Sequence, residues 1–257
     1  MKAKACFLYQ ILDLRWALLI YYFVIFCITL LANFSVITMT SSLSIAGEET
    51  IIMSGITFSS CIFMFIVGLN SFTENFRFSL QNGVSRKTLF LTRLFTAGTT
   101  ALFMGLLDQI FHSLINLVGK LSSSPLMSIS LFQQLYPTAW GNPVQGFFLS
   151  VIFGFCLLFL MANVGYAVVM LFYRVGKLGK VLVGAGVPAL LIFGIPALKA
   201  LDSMYFGERL RAFSNAVIQP VMDFAFNTAP NCMISLLVLA ALFALFDWLL
   251  LRRAIVR

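Results

Sequence analysis

Residues 16–47 read WALLIYYFVIFCITLLANFSVITMTSSLSIAG, 32 positions without a single Asp, Glu, Lys or Arg. A helix crossing the roughly 30 Å hydrocarbon core of a bilayer needs about 20 apolar residues, and an ionisable side chain at the centre costs about 2.5–3.5 kcal/mol or more. A charge gap of this length is therefore the mark of a membrane span, and the chain repeats it. Further gaps run Thr50–Thr73, Leu94–Gly119 (interrupted only by Asp108), Leu121–Tyr173, Val181–Leu198 and Phe224–Phe246. Of the 257 residues 61% are hydrophobic and 10% charged, where a soluble domain averages about 45–50% and 25%. Six spans leave about 140 residues in short pieces, too little for a soluble catalytic domain.

The gap from Leu121 to Tyr173 is long enough for two spans, but Ser122–Pro125 and Tyr136–Pro143 carry turn and breaker residues. Residues 121–145 are accordingly read as a loop with a short interfacial helix, and the span as 146–173. The other spans are expected at 16–38, 51–72, 89–118, 181–198 and 231–251, with Asp247 in a last turn from which it reaches the interface. The fold class is all-α: a single membrane domain over 1–257, six transmembrane helices and both termini on one side.

Lys and Arg in short loops stay on the cytoplasmic side. Here Lys2, Lys4, Arg15, Arg77, Arg86, Lys87, Arg93, Arg174, Lys177, Lys180, Arg252, Arg253 and Arg257 fall on one side, 13 of the 17 basic residues. Only Lys120, Lys199, Arg209 and Arg211 fall on the other. The termini are thus expected inside the cell. A net charge of +8 is explained by this topology and calls for no nucleic acid. The apolar run after Arg15 is longer than the 7–15 residue core of a signal peptide, so it is read as a retained span. Cys6, Cys27, Cys61, Cys156 and Cys232 have no paired spacing, and neither a disulfide nor a metal site is expected.

The connections carry more information than the spans. Ala3, Phe7, Ile11 and Leu14 recur at helical spacing, so residues 1–15 suit an amphipathic helix lying on the leaflet, the alternative being a disordered basic tail. Between spans two and three, residues 73–88 describe a short helix of their own. Ser71 with Glu74 matches a capping box, Phe72, Phe76 and Leu80 share a face, Asn82-Gly83 supplies the left-handed residue that ends a helix, and Ser85 caps the next one. Such a helix either docks on a cytoplasmic protein or lies among the headgroups.

The pattern Phe76-x-x-x-Leu80-x-x-Gly83-Val84-Ser85-Arg86-Lys87, with six spans and an N-terminal amphipathic helix, resembles the permease subunits of bacterial ABC-2 type ABC transporters. The likeness covers the chain in topology and is sharp in sequence from about Glu74 to Leu94. It implies that Phe76 to Lys87 is a coupling helix and its exit, set in a cleft of a separate ATPase, with Glu74, Phe76, Arg77, Leu80, Gln81, Gly83, Ser85, Arg86 and Lys87 as the coupling residues. It also implies two ATPase copies, a second permease subunit, identical or homologous, and a place in the bacterial plasma membrane. ATP and Mg would be held by the ATPase and no cofactor by this chain, whose Gly-Lys pairs at 119–120, 176–177 and 179–180 lack the following Ser or Thr of a phosphate-binding loop.

The basic loop Arg174–Lys180 is too brief for a second coupling helix and reads as an orientation signal. The fifth span holds Gly184, Gly186, Pro188, Gly194 and Pro196, residues that kink a helix and let neighbours approach; it is placed at a subunit interface or pathway, or in tight packing within one subunit. Residues 202–230 form an outer loop, in which Tyr205–Gln219 has an interfacial helical pattern stopped by Pro220. Asp108 and His112, four apart, share a face of span three and are in reach of a mutual hydrogen bond. They are read as a proton relay, a packing pair or a substrate contact. With one histidine and no nucleophile, zinc or paired-carboxylate motif, no enzyme is expected. The readings that remain are an exporter subunit for an amphipathic peptide, lipid or drug-like compound, a stand-alone proton-coupled carrier, and a membrane scaffold or sensor.

Overall fold

The computed structural model describes residues 2–42, 51–53, 55–121, 126–137, 142–174, 216 and 219–252. The fifth span, the loop after Arg174 and the outer helix over 205–218 lie outside these residues, as do Gly184, Gly186, Pro188, Gly194 and Pro196. In chain order the elements are α1 (Lys2–Ser42), β1 (Ile51–Met53), α2 (Gly55–Asn70), α3 (Thr73–Gln81), α4 (Arg86–Leu121), β2 (Leu126–Ser128), α5 (Leu131–Leu135), α6 (Pro143–Arg174), α7 (Gln219–Phe226) and α8 (Ala229–Arg252). The described residues are all but entirely helical. Among them four helices, α1, α4, α6 and α8, are long and apolar enough to cross a membrane. The fifth apolar helix, α2, has 16 residues, about 24 Å at 1.5 Å per residue, and falls short of the core by itself.

Helix α6 sits in the middle, packed on α2, α4 and α8, with α1 laid against α4. Two glycines let α2 and α6 touch. A Cβ at Gly68 would stand 2.3 Å from the Ala162 carbonyl oxygen, and one at Gly165 would stand 2.2 Å from that of Phe65. Small residues permit such backbone approach between membrane helices, where no hydrophobic force drives association. The outward faces are apolar, with Trp16, Leu19, Ile20, Phe23, Phe58, Phe95 and Leu249 all exposed. The interior holds Gln10, Ser60, Arg93, Asp108, Gln109, His112, Asn163 and Asp247. Apolar outside and polar within is the arrangement a bilayer solvent selects.

Several expectations are revised. Residues 2–15 are the opening turns of a continuous 41-residue α1, neither a separate interfacial helix nor a tail. Gln10 is buried and accepts a 2.9 Å hydrogen bond from Thr96 of α4, so this part is held by the bundle and does not lie flat on a leaflet. Residues 51–53 form a strand, pairing in parallel with 126–128, Ile51 opposite Leu126. The expected short helix of the 121–145 loop is α5, capped by a Ser130–Gln133 box. Ser71 finishes α2, its hydroxyl donating to the Gly68 carbonyl, and the Phe72 carbonyl accepts from the Phe76 amide as α3 begins. Pro220 is the second residue of α7; the outer helix that it is expected to stop lies outside the described residues.

Candidate functional site

One face of α4 carries the polar interior. Arg93, Thr96, Thr100, Asp108, Gln109 and His112 are all buried on it, with one node around Arg93 and another around Asp108 and His112.

The node toward the α4 N-terminus is centred on Arg93, 4% exposed. Its Nη1 donates to Asn163 Oδ1 of α6 at 2.7 Å and lies 3.4 Å from Asp247 Oδ2 of α8. Its Nη2 donates to the Ala162 carbonyl at 2.8 Å, and the guanidinium plane sits 3.9 Å from the Tyr166 ring centroid. A delocalised cation with a fixed fork of donors suits such a site. Asp247 is fully buried, and its Oδ1 has no hydrogen-bond partner among the described residues. The expectation that Asp247 reaches the interface is therefore corrected, because it turns inward to the cation of another helix. Arg93, counted as an orientation charge, ties α4, α6 and α8 together.

The second node holds Asp108 and His112, which do not bond to each other. The Tyr22 hydroxyl of α1 donates to Asp108 Oδ1 at 3.0 Å and to the Met104 carbonyl at 3.1 Å, while Asp108 Oδ2 has no partner among the described residues. His112 turns to the opposite loop, with Nδ1 2.6 Å from Ser128 Oγ and Nε2 3.5 Å from Thr57 Oγ1. Asn116, one turn on, pairs with the Ser128 backbone in both directions, accepting from its amide at 2.7 Å and donating to its carbonyl at 2.9 Å. Its side-chain amide acts there as a further strand beside β2. Between the two nodes lie Met64, Ala101, Met104 and Leu158, all fully buried, together with the buried hydroxyls of Thr100 and Ser60.

At the basic end, α3 is built into the fold. Phe72 and Phe76 are each 1% exposed, stacked 5.0 Å apart, with edge contacts to Tyr173 of α6 and, for Phe72, to Tyr166. Phe76 thus fastens α3 to the bundle, and its predicted place in a partner's cleft is corrected. The outward side chains are Phe78, which stacks on Tyr9 of α1 at 4.9 Å and is 47% exposed, and Gln81, also exposed. Glu74, Arg77 and Leu80 lie on α3; their side chains are outside the description.

Gly83 has φ 67°, and the Val84 amide bonds the Ser79 carbonyl at 2.9 Å, the six-to-one bond of a Schellman ending. Ser85 accepts the Thr88 amide at 3.2 Å and so caps α4. Arg86 Nη1 donates to the Arg252 carbonyl at 2.9 Å, a cation on the carbonyl end of α8 as the helix dipole favours. Lys87 is exposed and borders an apolar groove of about 690 Å³ between α4 and α8, floored by Phe90, Leu94, Phe159, Leu237 and Trp248.

Asn163, Tyr166, Gln10 and Tyr22 were not singled out by sequence, and Arg93 and Asp247 were read only as an orientation charge and an interfacial carboxylate. The available signal was spacing: positions 93, 97, 100, 104, 108 and 112 advance by three or four and share a face. No family model, curated protein or solved structure matches the chain.

Proposed function

We propose that the chain is the membrane subunit of an ABC-2 type transporter, driven by a separate ATPase that binds at α3. The observation that carries this reading is the fastening of α3. A nine-residue helix with its own stop, placed between two spans at the basic end, is held by Phe72 and Phe76 on α6, by Tyr9 and Cys6 on α1, and by the Ser85 cap leading directly into α4. A load on α3 would reach three long helices at once, which is what a coupling element requires. The basic end faces the cytoplasm in this reading, ATP and Mg are held by two copies of the ATPase, and a second permease subunit, identical or homologous, completes the pathway in the bacterial plasma membrane. Export of an amphipathic peptide, lipid or drug-like compound suits the apolar groove beside α4, whose volume is in the usual range of roughly 300–1,000 Å³ for ligand sites.

The test uses the tagged chain purified from its native membrane in mild detergent. A Walker-type ATPase is expected to co-purify, and Phe78→Ala with Gln81→Ala, which give up the Phe78–Tyr9 stack but leave Phe72 and Phe76 in place, should weaken its retention about tenfold, a loss of about 1.4 kcal/mol, with the chain still melting cooperatively. Full retention in the double variant, or substrate flux in proteoliposomes without ATP, would overturn the reading. The proton-coupled alternative predicts ATP-independent flux abolished by Asp108→Asn; Asp108 and His112, turned to different partners, give it no direct relay between the two.

A further inference from the structure

Asp108 lines a small cavity enclosed by α2, α4, the start of α5 and α6, with room for the centre of one water-sized body, about 10 Å³. Its other polar walls are Thr57, Gln109, Ser130 and Ser150. The Ser130 and Ser150 hydroxyls are 3.4 Å apart and each side chain is 1% exposed. Asp108 is 2% exposed, its Oδ1 taken by Tyr22, with the buried Ser60 hydroxyl also facing the carboxylate, and its Oδ2 has no partner within hydrogen-bond distance among the described residues. A buried carboxylate oxygen without a partner is costly to maintain, and no Lys or Arg lines the cavity to neutralise it. The polar part of the wall is a carboxylate, three hydroxyls, of which Ser130 already accepts the Gln133 amide, and the side-chain amide of Gln109.

We propose that this cavity is a binding site for a dehydrated monovalent cation, Na⁺, held by Asp108 with Thr57, Gln109, Ser130 and Ser150. Hard cations take oxygen ligands, and the charge count selects the valence. One carboxylate balances one positive charge, whereas a divalent ion would leave an excess charge in the bundle, and Ca²⁺ takes six to eight oxygens, usually with several carboxylates. The ligands come from four separate elements, so bound Na⁺ would clamp the end of the bundle opposite α3. The site does not rest on the transport reading and stands or falls without it.

The purified full chain is melted in detergent across 1–100 mM NaCl, with choline chloride holding the ionic strength constant. The melting midpoint should rise by about 5 °C, and Asp108→Asn should abolish the dependence. Ser150→Ala removes one hydroxyl and serves where Asp108→Asn does not fold; it should raise the Na⁺ concentration giving half the effect about tenfold. Binding of ²²Na⁺ to the wild-type chain should saturate near one ion per chain. A flat Na⁺ response, an identical response in both variants, or stabilisation by acid that is the same at 1 and 100 mM Na⁺ would overturn the proposal, the last by assigning the free oxygen to a proton.

Discussion

At the residue scale, the strongest constraint inside the bundle is the Arg93 node. A guanidinium out of water is tolerated because each face and edge has a partner: Asn163, the Ala162 carbonyl, Asp247 and the Tyr166 ring. Removing one member of a buried pair strands the other and costs about 3–5 kcal/mol, while replacing both with apolar groups of similar volume is often neutral. Asp247→Ala should therefore lower stability by about 3 kcal/mol or more, and Arg93→Met with Asp247→Leu should lose less than Asp247→Ala alone. Unfolding in denaturing detergent, followed by circular dichroism, reads both; additive losses in the double variant would show that the two charges do not depend on each other. This node was not legible in the sequence for a physical reason. Arg93 stands seven residues after Arg86 and reads as one more interfacial charge, while its partners are 70 and 154 residues away. Only the packing of three helices brings them together. The Asp108–His112 pair was legible as buried and polar, but i,i+4 spacing permits a contact without requiring it, and Tyr22 and Ser128 offered each residue a better-placed partner.

At the element scale, helix ends were more legible than helix contacts. The span expected at 146–173 is α6 from Pro143 to Arg174, and that expected at 231–251 is α8 from Ala229 to Arg252, because Pro, Gly and charge mark the ends locally. The Gly83 stop and the Ser85 cap were read for the same reason. The continuity of α1 was not: residues 1–15 have an apolar spacing that suits a leaflet surface equally well, and only Gln10 meeting Thr96 decides between them. The tight α2–α6 seam was hidden too, since Gly68 and Gly165 look like any other glycines of apolar helices until their neighbours are known. Their environments give a clear contrast. Gly165→Ala puts a Cβ 2.2 Å from a backbone oxygen, so the helices must part, and overpacking of this kind costs about 1–3 kcal/mol. At Gly98 the nearest atom is a ring carbon of Phe159 at 3.9 Å, and alanine there should be neutral or stabilising by up to about 1 kcal/mol through helix propensity. Melting midpoints of the two variants measure the difference; equal effects would mean that the seam is looser than the geometry requires.

At the scale of the whole molecule, the contacts sort the described elements into two ends. Arg86 at the start of α4 meets Arg252 at the end of α8, the first turns of α1 meet α3, and Tyr173 near the end of α6 meets Phe72 and Phe76. All of these lie at one end, with the start of α1. The opposite end holds β1, β2 and α5, and Tyr136 there donates to the Phe226 carbonyl at the end of α7. The chain thus leaves α6 at the basic end and enters α7 at the other. At 1.5 Å per residue the 41 residues of α1 extend about 60 Å, twice the hydrocarbon core, and Arg15 lies over Trp16 at 5.7 Å, an indole and a cation of the kind that prefer the headgroup level. If basic residues are retained inside, a fluorescent protein fused after Arg257 should fold and fluoresce in the cytoplasm, and alkaline phosphatase fused after Leu135 should be active outside. The reverse pattern would put α3, Phe78 and Gln81 outside the cell, beyond the reach of any ATP-hydrolysing partner, so this one topology measurement also decides whether the proposed coupling surface has anything to couple to.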